Sequence, residues 1–244
     1  MRIALISDIH GNNVALQAVL ADLRAQGADH TIFLGDAATI GPQPVEAIET
    51  LAGLDCLALI TGNHDEALLE PSRAIELQVA ANLHDSLNWC LDRLRPAHFD
   101  FLRSFRPTFE LPVGDDLSLL CYHGSPLSSI DQIISTTAEE FIERFFNGQP
   151  ATLLAGGHSH IQMLRRMGKR LMINAGSIGN AFYDSFKPGV VPRLLPWAEY
   201  AILTVENGVV TTLLRRLPFD TERIQRAAVE NKLPSADWWL EQYK

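Results

Sequence analysis

Five short polar motifs, each directly behind an apolar, strand-like run, constrain this chain more than any other feature. They are Asp8-Ile9-His10, Gly35-Asp36, Gly62-Asn63-His64-Asp65, His123, and Gly156-Gly157-His158-Ser159-His160. Five of the eight histidines fall inside them. Around the first three, the apolar period alternates between strand and helix. Arg2 to Ser7, His30 to Leu34 and Cys56 to Thr61 read as strands. Asn13 to Ala25 and Pro42 to Leu54 read as helices, the second with proline near its start. A βαβαβ order implies parallel strands joined by right-handed crossovers. Asp8, Asp36 and Asn63 then lie just past the carboxyl ends of three strands, where open α/β sheets bind ligands.

The motifs offer Asp8, His10, Asp36, Asn63, His123, His158 and His160 as metal ligands. Carboxylate, amide oxygen and neutral imidazole suit a divalent or trivalent ion such as Mn, Fe, Zn, Co or Ni. Seven side chains exceed one tetrahedral site and suit two sites of four if one carboxylate is shared. Two ions roughly 3.5–4 Å apart can hold both the attacking and the leaving oxygen of an in-line displacement. A two-metal hydrolase is therefore the leading reading. No thiolate joins the set, so a structural cysteine-zinc site is not indicated. Taken singly, each motif has a structural explanation too. Asp8 suits a helix N-cap, Gly35-Asp36 and Gly62-Asn63 are ordinary strand-to-helix turns, and a lone histidine after a strand is usually structural. Their joint order at strand ends carries the metal reading. His30, His84 and His98 match no motif and read as structural or surface residues.

The second half continues the pattern. Leu117 to Tyr122 reads as a strand ending at His123, Phe141 to Phe146 as helical, and Thr152 to Ala155 as a strand ending at the Gly-Gly-His-Ser-His turn. Ile161 to Asn174 reads as a hairpin about Gly168-Lys169. Glu199 to Leu217 is a firmer one, because Asn207-Gly208 favours a type I′ turn. The expected fold is α/β: a four-layer αββα sandwich of two mixed sheets flanked by helices, one domain over residues 1–244. A helical insertion over 66–106 follows the third strand, and a helical tail covers 218–244.

The motif set resembles the calcineurin-like metallophosphoesterase superfamily, whose pattern runs D-x-H, GD, GNH[DE], a lone H after a strand, and GHxH. All five parts stand here in that order, over residues 8–160. The resemblance implies the same sandwich. It implies that Asp8, His10, Asp36 and His160 hold one metal, and that Asp36, Asn63, His123 and His158 hold the other, with Asp36 as the bridge. It implies that His64 is no ligand but contacts the phosphate and protonates the leaving oxygen. A hydroxide held between the metals would attack phosphorus, with His64 as general acid. Ser7 to Asn12, His123-Gly124-Ser125-Pro126 and Gly176-Ser177-Ile178-Gly179 look most like the small bacterial and archaeal phosphodiesterase branch, although Ala175 replaces a proline usual there. Ser/Thr protein phosphatases differ, since this chain has Asp36-Ala37-Ala38-Thr39 and ends the third motif in Asp65. A phosphodiesterase acting on a nucleotide-type or other small phosphodiester is the expected activity. A phosphomonoesterase and a dinucleoside polyphosphate hydrolase are the enzyme alternatives, and a metal-poor protein-binding scaffold is the non-enzyme one. Asn12 and Asn63 join His64 as candidate substrate contacts, with an exposed turn residue the alternative for Asn12.

Composition narrows the partners. The net charge is −9, which argues against broad nucleic-acid binding, because that rests on Lys and Arg neutralising phosphates. A small anionic phosphoester remains compatible, since bound ions are the largest local charges in such a site. Cys56, Cys90 and Cys121 form an odd set without C-x-x-C, which suggests a reducing, cytoplasmic setting. The first residues read as a strand cut by Asp8 and not as a signal peptide, and no run approaches a membrane span.

The insertion over 66–106 starts beside His64, so it suggests a cap over the substrate; the alternative is a helical pair that only covers the sheet. Phe99, Phe101 and Phe105 are its candidate base-stacking residues, and Arg73, Arg93, Arg95, Arg103 and Arg106 its candidate phosphate contacts. Residues 180–197, rich in proline, glycine and aromatics, read as a loop. Trp238 and Trp239 in the tail either pack back onto the domain or form a contact in a homo-oligomer.

Overall fold

Strands β1 (Arg2–Ile6), β2 (His30–Phe33) and β3 (Cys56–Leu59) pair in parallel, as the βαβαβ period requires. Helices α1 (Asn13–Gln26) and α2 (Pro44–Ala52) make the crossovers. The computed structural model describes residues 1–185 and 190–243. The first sheet is completed by β9 (Trp197–Glu206) and β10 (Val209–Pro218), a long hairpin whose first strand runs antiparallel to β1. Its order is β10-β9-β1-β2-β3. The second sheet takes β4 (Phe109–Gly114), β5 (Leu117–Cys121), β6 (Leu153–Gly156), β7 (Met163–Met167) and β8 (Arg170–Asn174) in the order β4-β5-β6-β8-β7, parallel in the middle and antiparallel at both edges. β4 lies outside the strands expected from the sequence. Its alternation of half-buried and exposed residues carries a proline, which weakens the strand signal and suits an edge.

Side-chain alternation along β1 explains the layers. Ile3 and Leu5 face the second sheet, packing among Ile32, Leu119, Leu153 and Leu203. Ala4 and Ile6 face the opposite way, into a core shared with α1, α2 and the 66–106 segment. A third cluster, built on Phe146, Ile142 and Met172, covers the far face of the second sheet under α6 (Glu139–Phe145). The order is helices, sheet, sheet, helix, so the four-layer expectation holds.

The insertion comprises the end of α3 (Asn63–Leu69), two short 3-10 turns, α4 (His84–Leu91) and α5 (Pro96–Arg103). Phe105 is buried in T-shaped contact with Phe33 and Phe101, ring centroids 5.8 and 5.1 Å away, and Phe99 packs on the same cluster. These aromatics are core, contrary to the base-stacking expectation. The five arginines are engaged elsewhere. Arg73 pairs with Glu66, Glu70 and Glu76, Arg95 with Glu49, and Arg103 with Asp100. Arg93 lies over Trp89 and Arg106 over Phe109. The tail forms α7 (Thr221–Glu230) and α8 (Ala236–Glu241), and Trp239 is fully buried against the domain, donating its indole N–H to the Ile40 carbonyl at 3.3 Å. The packing-back alternative therefore holds for Trp239. Of the loop expected over 180–197, residues 186–189 lie outside the described residues; on either side of them Phe182 and Leu194 form one isolated bridge before β9 begins. Among the described residues, no helix is long and apolar enough to cross a membrane.

Phe105→Ala is expected to cost about 3–5 kcal/mol of stability, the usual toll of emptying a buried aromatic site. Chemical denaturation of the variant, read beside its metal content, checks this; the metal content should not change.

Candidate metal centre

All five motifs reach one end of the sandwich, because they follow β1, β2, β3, β5 and β6 at the carboxyl ends of parallel strands in both sheets. The turns are stitched to one another by backbone bonds. Asp8 N–H donates to Gly35, His10 N–H to Asp36, and Gly157 N–H to His123. The Gly176 to Gly179 turn reaches across, with Gly179 N–H donating to the Asp8 carbonyl at 2.9 Å. Asp8, His10, Asp36, His158 and His160 all adopt the left-handed backbone region, φ between 46 and 65°. Five non-glycine residues there in one cluster is a costly concentration of strain, and such strain gathers at functional sites.

The side chains converge. Asp8, His10 and His160 bring ligand atoms within 4.8 Å of one another, and so do Asp8, Asp36 and His123. Asp8 is common to both groups, and the Asp36 carboxylate also reaches a histidine of each, with Oδ2 3.5 Å from His10 Nε2 and 3.3 Å from His123 Nε2. Asp8 Oδ1 lies 3.2 Å from His160 Nε2. His158 is half-buried with its ring against His123, centroids 5.1 Å apart. Asn63 donates its amide N–H to the Leu77 carbonyl, which leaves Oδ1 facing inward. Two glycines make room. A Cβ on Gly62 would strike the Asp36 carboxylate, and one on Gly157 would strike Ser7 and Asp8.

The donor set fits bound cations on its own evidence. His123 and His160 give their Nδ1–H to the carbonyls of Leu34 and Asn180, at 2.7 and 2.8 Å, so their Nε2 lone pairs point at the carboxylates. His10 Nε2 and His160 Nε2 face each other at 3.0 Å, a repulsive pairing of lone pairs unless a proton or a cation lies between them. Asp8 Oδ1, Asn63 Oδ1 and His123 Nε2 are buried without a hydrogen bond. The electrostatics agree. Burial alone would lower the pKa of His123, but the Asp36 and Asp8 carboxylates outweigh it and push the ring up to about 10. Burial raises Asp36, yet His123, His64 and His10 overcome that and hold it well below the usual carboxylate range. A cluster that takes up a proton this strongly is one that a metal ion would take over.

Asp65, the last residue of the third motif, has a structural role. Its carboxylate accepts three backbone N–H bonds, from Asp36 and Gly62 through one oxygen at 2.8 and 2.9 Å and from Ala37 through the other at 2.9 Å. It clips the turn after β2 to the start of α3, and His64 N–H donates to Asp36 Oδ1 across the same joint. Burial and the Asp36 charge raise its pKa to about 7 against those three donors. His64 sits beside the cluster, its Nδ1 2.9 Å from the Thr39 hydroxyl. Asn12 is not where a substrate contact would be. It is buried, caps α1 by accepting from Ala15 N–H, and donates its amide to the Gly179 carbonyl, so both ends of the side chain are occupied by the fold.

A cavity of about 580 Å³ opens over His10, Asp36, Asn63, His64, His158 and His160. His123 enters from the other side and borders a second cleft of about 450 Å³ with Ser125 and Arg73. The remaining wall of the first cavity is apolar or neutral. Leu83 comes from the insertion, Ile40 from the turn before α2, Phe182 and Val191 from the loop before β9, and Trp238 from the tail. None of the five arginines of 66–106 lines it. The wall is drawn from five segments, the loop before α6 with Gln132 among them, so no local sequence pattern marks it and only the fold assembles it.

Comparison with known proteins decides the family. The model of the calcineurin-like phosphoesterase superfamily domain matches residues 1–207. The chain belongs to the calcineurin-like phosphoesterase superfamily. It is a metal-dependent phosphoric ester hydrolase. An uncharacterized protein of Methanocaldococcus jannaschii is 27% identical over 246 residues, covering 98% of this chain and 95% of its own. A metallophosphoesterase from Sphaerobacter thermophilus superposes with a TM-score of 0.73 at 25% identity, over 99% of this chain and 98% of the other. A hypothetical protein of Pyrococcus horikoshii shares the fold at a TM-score of 0.78 and 20% identity, over 96% and 94%.

Asp65→Asn puts a donor where backbone N–H groups point, so it should loosen the Asp36 turn. Metal affinity is expected to fall about 10- to 100-fold, as for other supports of ligand groups. Equilibrium dialysis with Mn²⁺ reads this, and wild-type affinity in the variant would refute the clip.

Proposed function

We propose that the chain is a two-metal phosphodiesterase acting on a small, nucleotide-type phosphodiester. The observation that carries the reading is the convergence of buried carboxylate, amide and imidazole ligand atoms, three of them without a hydrogen bond, beside a cavity with apolar and neutral walls. Asp8, His10, Asp36 and His160 would hold one ion, and Asp36, Asn63, His123 and His158 the other. Asp36 is the shared carboxylate because it stands between His10 and His123, one from each set. The set of hard oxygens and imidazoles suits Mn, Fe, Zn, Co or Ni. When bound, the ions supply Lewis acidity, lowering the pKa of a water and offsetting charge on the phosphoryl oxygens.

The chain's own residues do the rest. Burial holds His64 below its ordinary pKa, against the pull of Asp36. An anionic ester beside the ring favours the imidazolium, because a nearby opposite charge stabilises the charged form. The imidazolium gives Nδ1–H to the Thr39 hydroxyl and Nε2–H to the departing ester oxygen, so Thr39 positions the ring and His64 acts as general acid. Asn63 contributes to substrate binding through the edge of the cavity it lines. Among the described residues no Lys or Arg lines the cavity, although Lys187 lies outside them. That favours a diester, with one negative charge, over a monoester dianion or a polyphosphate. The free thiols Cys56, Cys90 and Cys121 support a reducing, cytoplasmic setting. A panel of mono-, di- and dinucleoside polyphosphate esters with Mn²⁺ tests the substrate class; faster turnover of monoesters or polyphosphates than of diesters would overturn it.

Asp36→Asn is expected to harm both metal sites, whereas His160→Ala should mainly empty one and His123→Ala the other. Metal counting per chain reads this directly. Two retained ions and full activity in Asp36→Asn would refute the shared carboxylate.

His64→Ala should keep both ions and lose roughly 10²- to 10⁴-fold in turnover, the usual worth of general acid help. The loss should shrink with nitrophenyl esters, whose leaving group needs little protonation. An equal loss with good and poor leaving groups would instead assign His64 to phosphate binding.

A further inference from the structure

The tail contributes a side chain to the catalytic cavity although it lies beyond residue 207, where the family match ends. That side chain is Trp238. It is half-buried and lines the same cavity as His10, Asp36 and His64. Its neighbour Trp239 anchors it from the protein side, ring centroids 5.3 Å apart at 79°. No polar contact fixes the Trp238 ring itself, because its buried indole N–H has no partner among the described residues. Packing alone holds it.

The tail is fastened to other parts of the cavity rim. Gln242 accepts from the Leu194 backbone N–H at 2.9 Å, Ser235 meets Ser86 of α4 at 3.3 Å, and Asn231 donates to the Pro42 carbonyl at 2.9 Å. These bonds reach the loop before β9, the insertion and the turn before α2, three segments that also supply wall residues. Trp238 is therefore held in place by the surfaces around it.

The rest of the wall indicates what the ring faces. Phe182 stacks on the candidate ligand His160, centroids 4.3 Å apart, and presents a second aromatic surface to the cavity. Gln78, Asn82 and Gln132 add exposed neutral amides, and among the described residues none of these side chains is engaged in a hydrogen bond. Aromatic faces take the flat face of a ring, and amides donate to and accept from a polar ring edge. A nucleobase has both features. A plain alkyl group has neither.

We propose that Trp238 is the base-stacking residue of this enzyme, so that the tail, and not the aromatics of the insertion, sets preference for a nucleoside ester. The proposal rests on the phosphodiesterase reading above.

Two diesters with the same leaving group test it: the para-nitrophenyl ester of thymidine monophosphate and methyl para-nitrophenyl phosphate. Trp238→Ala should lower kcat/KM for the thymidine ester about tenfold, in the range of one stacked base. It should change the methyl ester far less, and Trp238→Phe should restore most of the loss. Metal content and melting temperature of the two variants serve as controls for folding. A second readout is independent of turnover: thymidine monophosphate should quench the tryptophan fluorescence of the wild-type protein, and the quench should vanish in Trp238→Phe. Equal losses for both esters, or a quench unchanged in Trp238→Phe, would overturn the assignment. If the wild-type protein cleaves neither ester yet shows the Trp238-dependent quench, the phosphodiesterase reading fails and the base-stacking residue stands.

Discussion

Two buried carboxylates, Asp8 and Asp36, face imidazole lone pairs that they can bond only through an intervening proton or cation, and much of the local structure follows from keeping those groups together. Burying ionised groups is costly unless each is paired or binds a cation. The fold meets that cost in several ways. It fixes His123 and His160 by bonds from their outer nitrogens, so the inner ones keep their lone pairs. It accepts left-handed backbone at Asp8, His10, Asp36, His158 and His160, which turns the side chains inward directly after each strand. It places Gly62 and Gly157 where any larger residue would push the carboxylates away. Asp65 then locks two of the turns with three backbone bonds.

This arrangement explains why two sheets are needed. Three parallel strands of the first sheet bring Asp8, Asp36 and Asn63 to one edge, and β5 and β6 of the second bring His123, His158 and His160 to the same end. The apolar layer between the sheets, built on Ile3, Leu5, Leu119 and Leu153, sets their relative position. Stability and chemistry are thus coupled through packing density: a shift of one sheet against the other would separate the ligand atoms contributed by each. The cavity wall is built differently. It draws on the insertion, three loops and the tail, and it is tied to the metal-binding floor where the Leu77 carbonyl holds the Asn63 amide and the Asn180 carbonyl holds the His160 ring.

The sequence by itself determined the strands before each motif, the parallel βαβαβ half, the hairpin about Asn207-Gly208 and the set of residues that meets at the floor of the site. It could do so because these signals are local: an apolar run, a turn residue and a ligand within a few positions of one another. Tertiary structure decided the rest. Phe101 and Phe105 carry the same aromatic signal as Trp238, yet Phe105 packs into the core between Phe33 and Phe101, and Trp238 lines the cavity. Asn12 looked like an exposed turn or a substrate contact, and its side chain is consumed by Ala15 and Gly179. Asp65 looked like a motif ending, and it fastens two strand ends. In each case the role depends on a partner far away in sequence, or on which side of a layer the residue falls. A side chain's type records what it can bond to, but only the packed chain determines which of those partners comes within reach.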